Sequence, residues 1–312
     1  MTRFSFLLRR PFELIPVLIG ISLISFVLLQ LTPGDPARLL LGPKASEEAI
    51  ALVRQRYGLD QPVFVQYFYY IKNVLGGDFG QSMSFRSAIG PVLLERIGPT
   101  LYILAYGLFL SVLLTLLLGV LAARSRGRWL DQTIRVICVV GVGVPSYFVG
   151  LLLILVLSLK FGLFPVSGYA DSFVANLYHL FLPALTIAIS VTPILTRNFR
   201  ATLLQQMNAG YAIAALSKGV PENKVFWRHV FWNSLLPTVS LFGVVASFLI
   251  GGTVVIENVF NIPGLGLLLV RSVLSRDYLV VQGVTLVMAS GIVISNLIID
   301  VLIAALDPRV KT

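Results

Sequence analysis

Six stretches of this chain are long and apolar enough to cross a bilayer, and that limits the fold more than any other feature. They lie at 12–31, 99–123, 132–159, 177–195, 234–256 and 279–305. A spanning helix needs about 20 mostly apolar residues. Lipid offers backbone amides no outside partner, so each stretch is expected to be helical. Composition agrees. Of 312 residues, 57% are hydrophobic and 12% charged, against about a quarter charged in soluble domains. A cytosolic globule, a disordered chain and a disulfide-stapled module are excluded. In the third stretch Pro145 is expected to kink the helix, and Arg135 near its start to snorkel to the interface. The fourth stretch is the most polar.

Charge sets the orientation. The formal net charge is +10, which in a membrane chain reflects cytoplasmic loops and not nucleic acid. Arg3, Arg9 and Arg10 precede the first stretch, and Arg124, Arg126 and Arg128 follow the second. Arg197, Arg200, Lys218, Lys224 and Arg228 follow the fourth, and Arg309 and Lys311 end the chain. The two short opposite loops hold only Lys160, Arg271 and Arg276. Both termini are therefore expected in the cytoplasm. The first stretch resembles a signal peptide but is too long and lacks a small-x-small site, so it reads as a retained span.

The long outer segment, 32–98, has its own pattern. Residues 46–57 read as a short helix capped by Ser46, with Glu47 and Glu48 in its first turn. Residues 63–74 carry an aromatic stripe of Phe64, Tyr67, Phe68, Tyr70 and Ile71. Two readings stand: an amphipathic cap on the membrane surface, or a docking platform for an external partner.

No phosphate-cradling loop and no His-Glu-x-x-His pair occurs. Gly264-Leu265-Gly266 runs into Leu267-Leu268-Leu269, unlike a dinucleotide fingerprint. One cysteine, Cys138, and two histidines, His179 and His229, leave no expected metal site. Asp300 and Asn296 share one face near the end of the last stretch, where interfacial placement or helix packing accounts for them. A proton-coupled carrier needs a deep carboxylate or histidine relay, and none is expected. A membrane-embedded enzyme would lack clustered acids and bases. Active transport would draw its energy from elsewhere.

Residues 208–234, between the fourth and fifth stretches, are the most informative. Residues 211–218 form an Ala-rich segment of good helix propensity. Gly219 is expected to stop it in a left-handed conformation. Pro221 suits the first turn of a second helix, expected to run to Asn233. Small residues at Ala212, Ala214 and Ala215 would let a partner approach closely. The elbow reads either as a rigid knob that fits a partner's groove or as a hairpin on the membrane surface.

This elbow resembles the "EAA" motif, Glu-Ala-Ala-x-x-x-Gly, of ABC-importer permeases. The closest branch imports peptides, nickel and glutathione. It is carried by Lys218-Gly219, Arg228-His229, Asn233 and Leu236-Pro237. Further matches follow in order along the chain: Pro33-Gly34-Asp35-Pro36, Tyr57-Gly58-Leu59-Asp60-Gln61-Pro62, Gly77-Asp78-Phe79-Gly80, Glu257-Asn258-Val259-Phe260-Asn261-Ile262-Pro263-Gly264-Leu265-Gly266, Arg276-Asp277-Tyr278 and Asp307-Pro308-Arg309. Ile213 stands where the generic motif has Glu, and Gly210 where the branch often has an acid.

The resemblance implies an all-α polytopic protein with six transmembrane helices and the type I ABC-importer permease (MetI-like) fold. An extracytoplasmic insertion would follow the first helix. Residues 1–98 would form the first helix and that insertion, 99–305 the permease core, and 306–312 a cytoplasmic tail. It implies a B-type subunit in a prokaryotic inner membrane, surrounded by membrane lipid. Its partners would be a C-type permease subunit, two ABC ATPases and an extracytoplasmic substrate-binding protein. ATP and magnesium would bind those ATPases, and this chain would hold no cofactor. Tyr211, Ala214, Ala215, Lys218, Gly219, Pro221 and Glu222 would meet the ATPase.

Segments 32–98 and 257–278 would form the outer platform, with Glu257, Phe260, Pro263, Gly264 and Gly266 at the outer mouth. There Gly264 and Gly266 are expected to supply unusual backbone angles. A structural loop and direct contact with cargo are both open. Ser146, Thr186, Ser190, Thr192, Ser247, Gly251 and Gly252 are candidates to line the path, although small residues equally serve close packing. Small peptides are the preferred cargo, with nickel chelates or glutathione as alternatives, and more remotely a channel or carrier without an ATPase.

Overall fold

The computed structural model describes residues 3–30, 46–57, 60–82, 84–170 and 172–306. The Pro33-Gly34-Asp35-Pro36 run, Gly58-Leu59 and the tail 307–312 lie outside them. Among the described residues the backbone is helical apart from turns and one antiparallel bridge, Gln81 to Ala88. Helices α1 (Arg3–Gln30), α2 (Glu47–Tyr57) and α3 (Val63–Leu75) come first along the chain. Then come α4 (Ile89–Arg124), α5 (Trp129–Gly143), α6 (Ser146–Lys160), α7 (Phe173–His179) and α8 (Phe181–Met207). The last four are α9 (Gly210–Ser217), α10 (Glu222–Val259), α11 (Leu265–Leu274) and α12 (Tyr278–Leu306).

Three helices, α4, α10 and α12, are each long and apolar enough to cross a membrane. The bent pairs α5–α6 and α7–α8 raise that to five if each pair is one span. Among the described residues α1 adds a shorter apolar segment, Ile15–Val27.

Three expected boundaries move, and one expected kink is sharp. The second stretch begins at Ile89, not at 99, because Ile89 and Leu93 are buried against Val280 and Val284. Pro99 is carried inside the helix with its ring buried. The third stretch does kink at Pro145, and sharply. It breaks by 107° between α5 and α6, where Val144 is extended (φ −88°, ψ 121°) ahead of Pro145, as the proline ring demands of its predecessor. The fourth starts at Phe181 after a 57° bend and runs on to Met207. Its extra turns bury Phe199, Thr202 and Leu203. The helix that Pro221 opens does not end at Asn233. It continues to Val259, because Val225, Val230, Ser234 and Thr238 keep one face buried while Pro237 faces outward.

Helices α4 and α8 form the centre of the packing. On α4, Gly107, Ser111, Thr115 and Gly119 are buried at a spacing of four, a small-residue stripe that lets two helices touch. A Cβ on Gly107 would lie 2.7 Å from Cβ of Ile187, and one on Gly119 2.5 Å from Cδ1 of Phe199.

Between α1 and α4, Ser46 caps α2 by accepting from the Ala49 amide (3.3 Å). Helix α3 does not simply lie on a surface. Its Tyr67 hydroxyl meets that of Ser22 on α1 at 2.8 Å, and Gln30 donates to Gln66 at 2.7 Å. Tyr67 and Tyr70 both pack on the Phe26 ring. Burial, with Tyr67 adding to it, pushes the Tyr70 phenol up to about 12. The opposite face of α3 leaves Phe64 and Phe68 exposed.

The α4–α8 contact makes a test. Gly119→Ala is expected to lower the thermal unfolding midpoint of the detergent-solubilised protein, at an overpacking cost of about 1–3 kcal/mol. Gly98→Ala, on the same helix with open space around it, should leave the midpoint unchanged or raise it. Equal melting of the two variants would contradict the contact.

Candidate functional site

The elbow folds as its glycine dictates. Gly219 has φ +80°, which an L side chain rarely adopts. Its amide donates to the Leu216 carbonyl and that of Val220 to the Ala215 carbonyl. This paired pattern closes a helix C-terminus on a left-handed residue. Pro221 then opens α10 with extended backbone (φ −55°, ψ 138°). Tyr211 fixes the approach by donating to Gln206 at 2.8 Å.

One face of the elbow is root and the other is free. Ala212 is 1% exposed and packs in one cluster with Val225, Phe226, Val230, Phe199, Leu203 and Ala123. Ala212 therefore does not belong to the small-residue docking face. Ala214 is exposed and Ala215 half-buried. Tyr211, Ile213 and Leu216 are 41%, 53% and 42% exposed, an apolar surface outside the spanning segments. Lys218, Gly219, Pro221 and Glu222 are exposed beside it.

Two polar contacts that sequence reasoning missed fasten this end. Arg124, the last residue of α4, donates to Asn223 and lies 5.3 Å from the Phe226 ring centroid. Asp131, 1% exposed, accepts both arms of Arg200 at 2.6 and 2.7 Å and the Gly127 amide at 3.0 Å. The elbow's root thus grips the ends of α4, α8 and α10, and Arg200 pins α5 to α8.

The end opposite the elbow is built on two further carboxyl groups. Glu257 is fully buried at the end of α10. Its Oε2 accepts the amides of Gly266 (2.7 Å) and Leu267 (3.0 Å), and its Oε1 accepts the Thr100 hydroxyl (2.6 Å). Thr100 in turn accepts the Leu265 amide at 2.8 Å. The first three amides of α11 are so satisfied by side chains of two other helices, where a helix normally leaves them free. Asp277 does similar work, accepting the Ser82 hydroxyl at 2.6 Å and the Ser84 amide at 3.1 Å. It ties the segment ahead of α4 to the start of α12.

The expectation for Gly264 and Gly266 is corrected. Gly264 has φ −102° and ψ −172°, and Gly266 is helical; neither angle needs glycine. Closeness does. A Cβ on Gly264 would meet the Glu257 carboxyl at 2.4 Å, and one on Gly266 the Val254 Cα at 2.4 Å. The left-handed residue of this turn is Asn261, φ +47°. Phe260 is buried in the core and Pro263 half-buried.

The path candidates divide. Thr186 and Thr192 lie inside this chain's own core; Thr186 donates to the Leu182 carbonyl, and the Thr192 hydroxyl makes no hydrogen bond. Ser146, Ser190, Ser247 and Gly252 are half-buried, and Gly251 is exposed. Ser247 bonds Asn296 of α12. Among the described residues no group of three or more His, Cys, Asp or Glu side chains could hold a metal ion.

Comparison with known proteins matches residues 115–312 to the family of binding-protein-dependent transport system inner membrane components. Residues 1–91 match the N-terminal region of binding-protein-dependent transport system membrane components. The glutathione transport system permease proteins of Salmonella typhi and of Escherichia coli strain K12 are each 39% identical to this chain over 307 residues. The match covers 98% of this chain and 99% of each relative.

The Glu257 cap can be measured. Glu257→Ala strands two buried amides, at a cost of about 2–6 kcal/mol, and the amides of Gly266 and Leu267 should then exchange hydrogen faster than in the native protein. Glu257→Gln keeps an acceptor and should restore most of the protection. Unchanged exchange in the alanine variant would refute the cap.

Proposed function

Because the chain belongs to the family of binding-protein-dependent transport system inner membrane components, we propose that its elbow takes the push of a cytoplasmic ATPase and that its cargo is small peptides of the glutathione class. The chain is a multi-pass membrane permease subunit of an ABC importer. The observation that carries the coupling role is the elbow's two-sidedness. Tyr211, Ile213 and Leu216 stand free outside the spanning segments, while Ala212 and Phe226 are locked into the core.

A knob built this way passes force on instead of bending. An ATPase closing around α9 would carry the ends of α4, α8 and α10 with it as one body. With a homologous sister subunit moved likewise, the path between them would open outward, and hydrolysis would reset it. The full span count in this reading is six, with α1 as the first and both termini on the elbow's side. An external binding protein would deliver cargo to the outer end that Glu257 and Asp277 hold in shape. The cargo class rests on the relatives, whose role is glutathione transport. A carrier working without an ATPase is less well supported. The buried carboxyls Glu257, Asp131 and Asp277 are each occupied by two or more donors, which leaves them poorly placed to relay protons.

The test uses exposed positions. Ile213→Asp with Leu216→Asp should leave the membrane subunits assembled and their melting unchanged. The ATPases should no longer co-purify, and ATP-dependent glutathione uptake into vesicles should fall at least roughly tenfold, the loss expected from charged groups in an apolar interface core. Undiminished uptake with the ATPases still bound would overturn the coupling role. Uptake of unrelated solutes but not of glutathione or small peptides would overturn the cargo assignment alone.

A further inference from the structure

Helices α5 and α8 run antiparallel at the elbow's side of the membrane. Asp131 meets Arg200 at one end, and near the other a Cβ on Gly141 would come 2.8 Å from the Pro193 ring. Between them lies an open cavity of about 550 Å³, lined by Arg135, Thr196, Arg197, Cys138 and Val139 among others.

The charges in this groove do not balance. Asp131 is the nearby acid, and Arg200 takes both of its oxygens. Arg135 shares Asp131 in a longer ion pair, at 3.7 Å, with its side chain 52% exposed. Arg197 is exposed and has no acidic partner among the described residues. Thr196 is 1% exposed, and its hydroxyl makes no hydrogen bond. Three arginines around one carboxylate thus leave a net charge of +2, and an unused hydroxyl shares the same wall. Beyond them the groove turns apolar, with Val136, Val139 and Val140 60–67% exposed. Trp129, 75% exposed, opens α5, where an amphipathic ring marks a membrane interface.

We infer that this groove holds an acidic phospholipid of the leaflet on the elbow's side. An arginine left in hydrocarbon is costly, and a phosphate oxygen relieves that cost with a charge-assisted hydrogen bond. Basic pockets between spanning helices suit acidic headgroups for this reason. A zwitterionic lipid brings its own ammonium and cancels the attraction; an acidic one does not. The length also fits. Helix α5 has 15 residues, about 22 Å at 1.5 Å each, enough to line the depth of one leaflet, about 15 Å. Headgroup oxygens would accept from Arg135, Arg197 and Thr196, and acyl chains would cover the three valines. A lipid there clamps α5 to α8 beside Arg200, on the helix that leads into the elbow. The site itself does not depend on the transport reading.

The experiment places a photoreactive benzoylphenylalanine at Val139 in the complete transporter complex. The complex is reconstituted in phosphatidylcholine vesicles carrying a minor fraction of phosphatidylglycerol, and adducts on this chain are weighed by mass spectrometry. Phosphatidylglycerol adducts should exceed their bulk fraction by roughly tenfold, as two cations near an acidic headgroup imply. Arg135→Gln with Arg197→Gln should return the adducts to the bulk ratio. Arg135→Lys with Arg197→Lys should retain the enrichment, which separates charge from misfolding. Adducts at the bulk ratio in the native sequence would overturn the site. So would crosslinks to another subunit in place of lipid, or enrichment that survives the glutamine substitutions.

Discussion

The burial of the elbow's root is the interaction on which the rest of this structure depends. Ala212, Val225, Phe226 and Val230 pack with Phe199, Leu203 and Ala123, and this single cluster joins four helices. Without it, Gly210–Ser217 would be a short helix on two hinges, and any force on it would be lost in bending. With it, the exposed face of α9 is part of the same solid as α4, α8 and α10. Arg124, set across Asn223 and over Phe226, adds a polar fastening where the cluster meets water.

The two ends of the molecule solve different problems with the same device. Each uses a buried carboxyl group that joins backbone donors near it in the chain to a side-chain donor on a distant helix. At the elbow's end Asp131 gathers Arg200 and Gly127; at the other, Glu257 gathers Thr100, Gly266 and Leu267. A carboxyl in that position is costly to leave unsatisfied, so it fixes geometry more strictly than apolar contact does. Between the ends, α4 and α8 touch along glycine, serine and threonine. Close small-residue packing lets long helices move as a unit without large side chains to unlock.

The sequence made the local features legible and left the distant ones hidden. Hydropathy found the helical segments, and Gly219 announced the end of the elbow helix because a left-handed position has few other occupants. Ser46 capped α2 as its neighbours implied. The helix ends were misplaced where a buried face outran the apolar stretch, as at Ile89 and Met207. Pro145 marked the break in the third stretch, but its 107° angle follows from packing that no local pattern encodes. Asp131, Thr100 and Asp277 took on their roles through partners up to 195 residues away, beyond any spacing rule. Gly264 and Gly266 stood out as glycines, yet the reason was closeness, the Glu257 carboxyl against Gly264 and the Val254 backbone against Gly266, and not their backbone angles. Ala212 looked like docking surface and is the root, since helical phase within so short a segment is set by what it packs on.

In the coupling proposed above, this chain moves only when an ATPase drives its elbow. Uptake of labelled glutathione against its gradient measures this most directly, in vesicles holding this chain with its sister subunit, with and without the ATPases and the external binding protein. Uphill accumulation only in the complete, ATP-fuelled system is the predicted result. Sustained accumulation by the membrane pair alone would contradict the account.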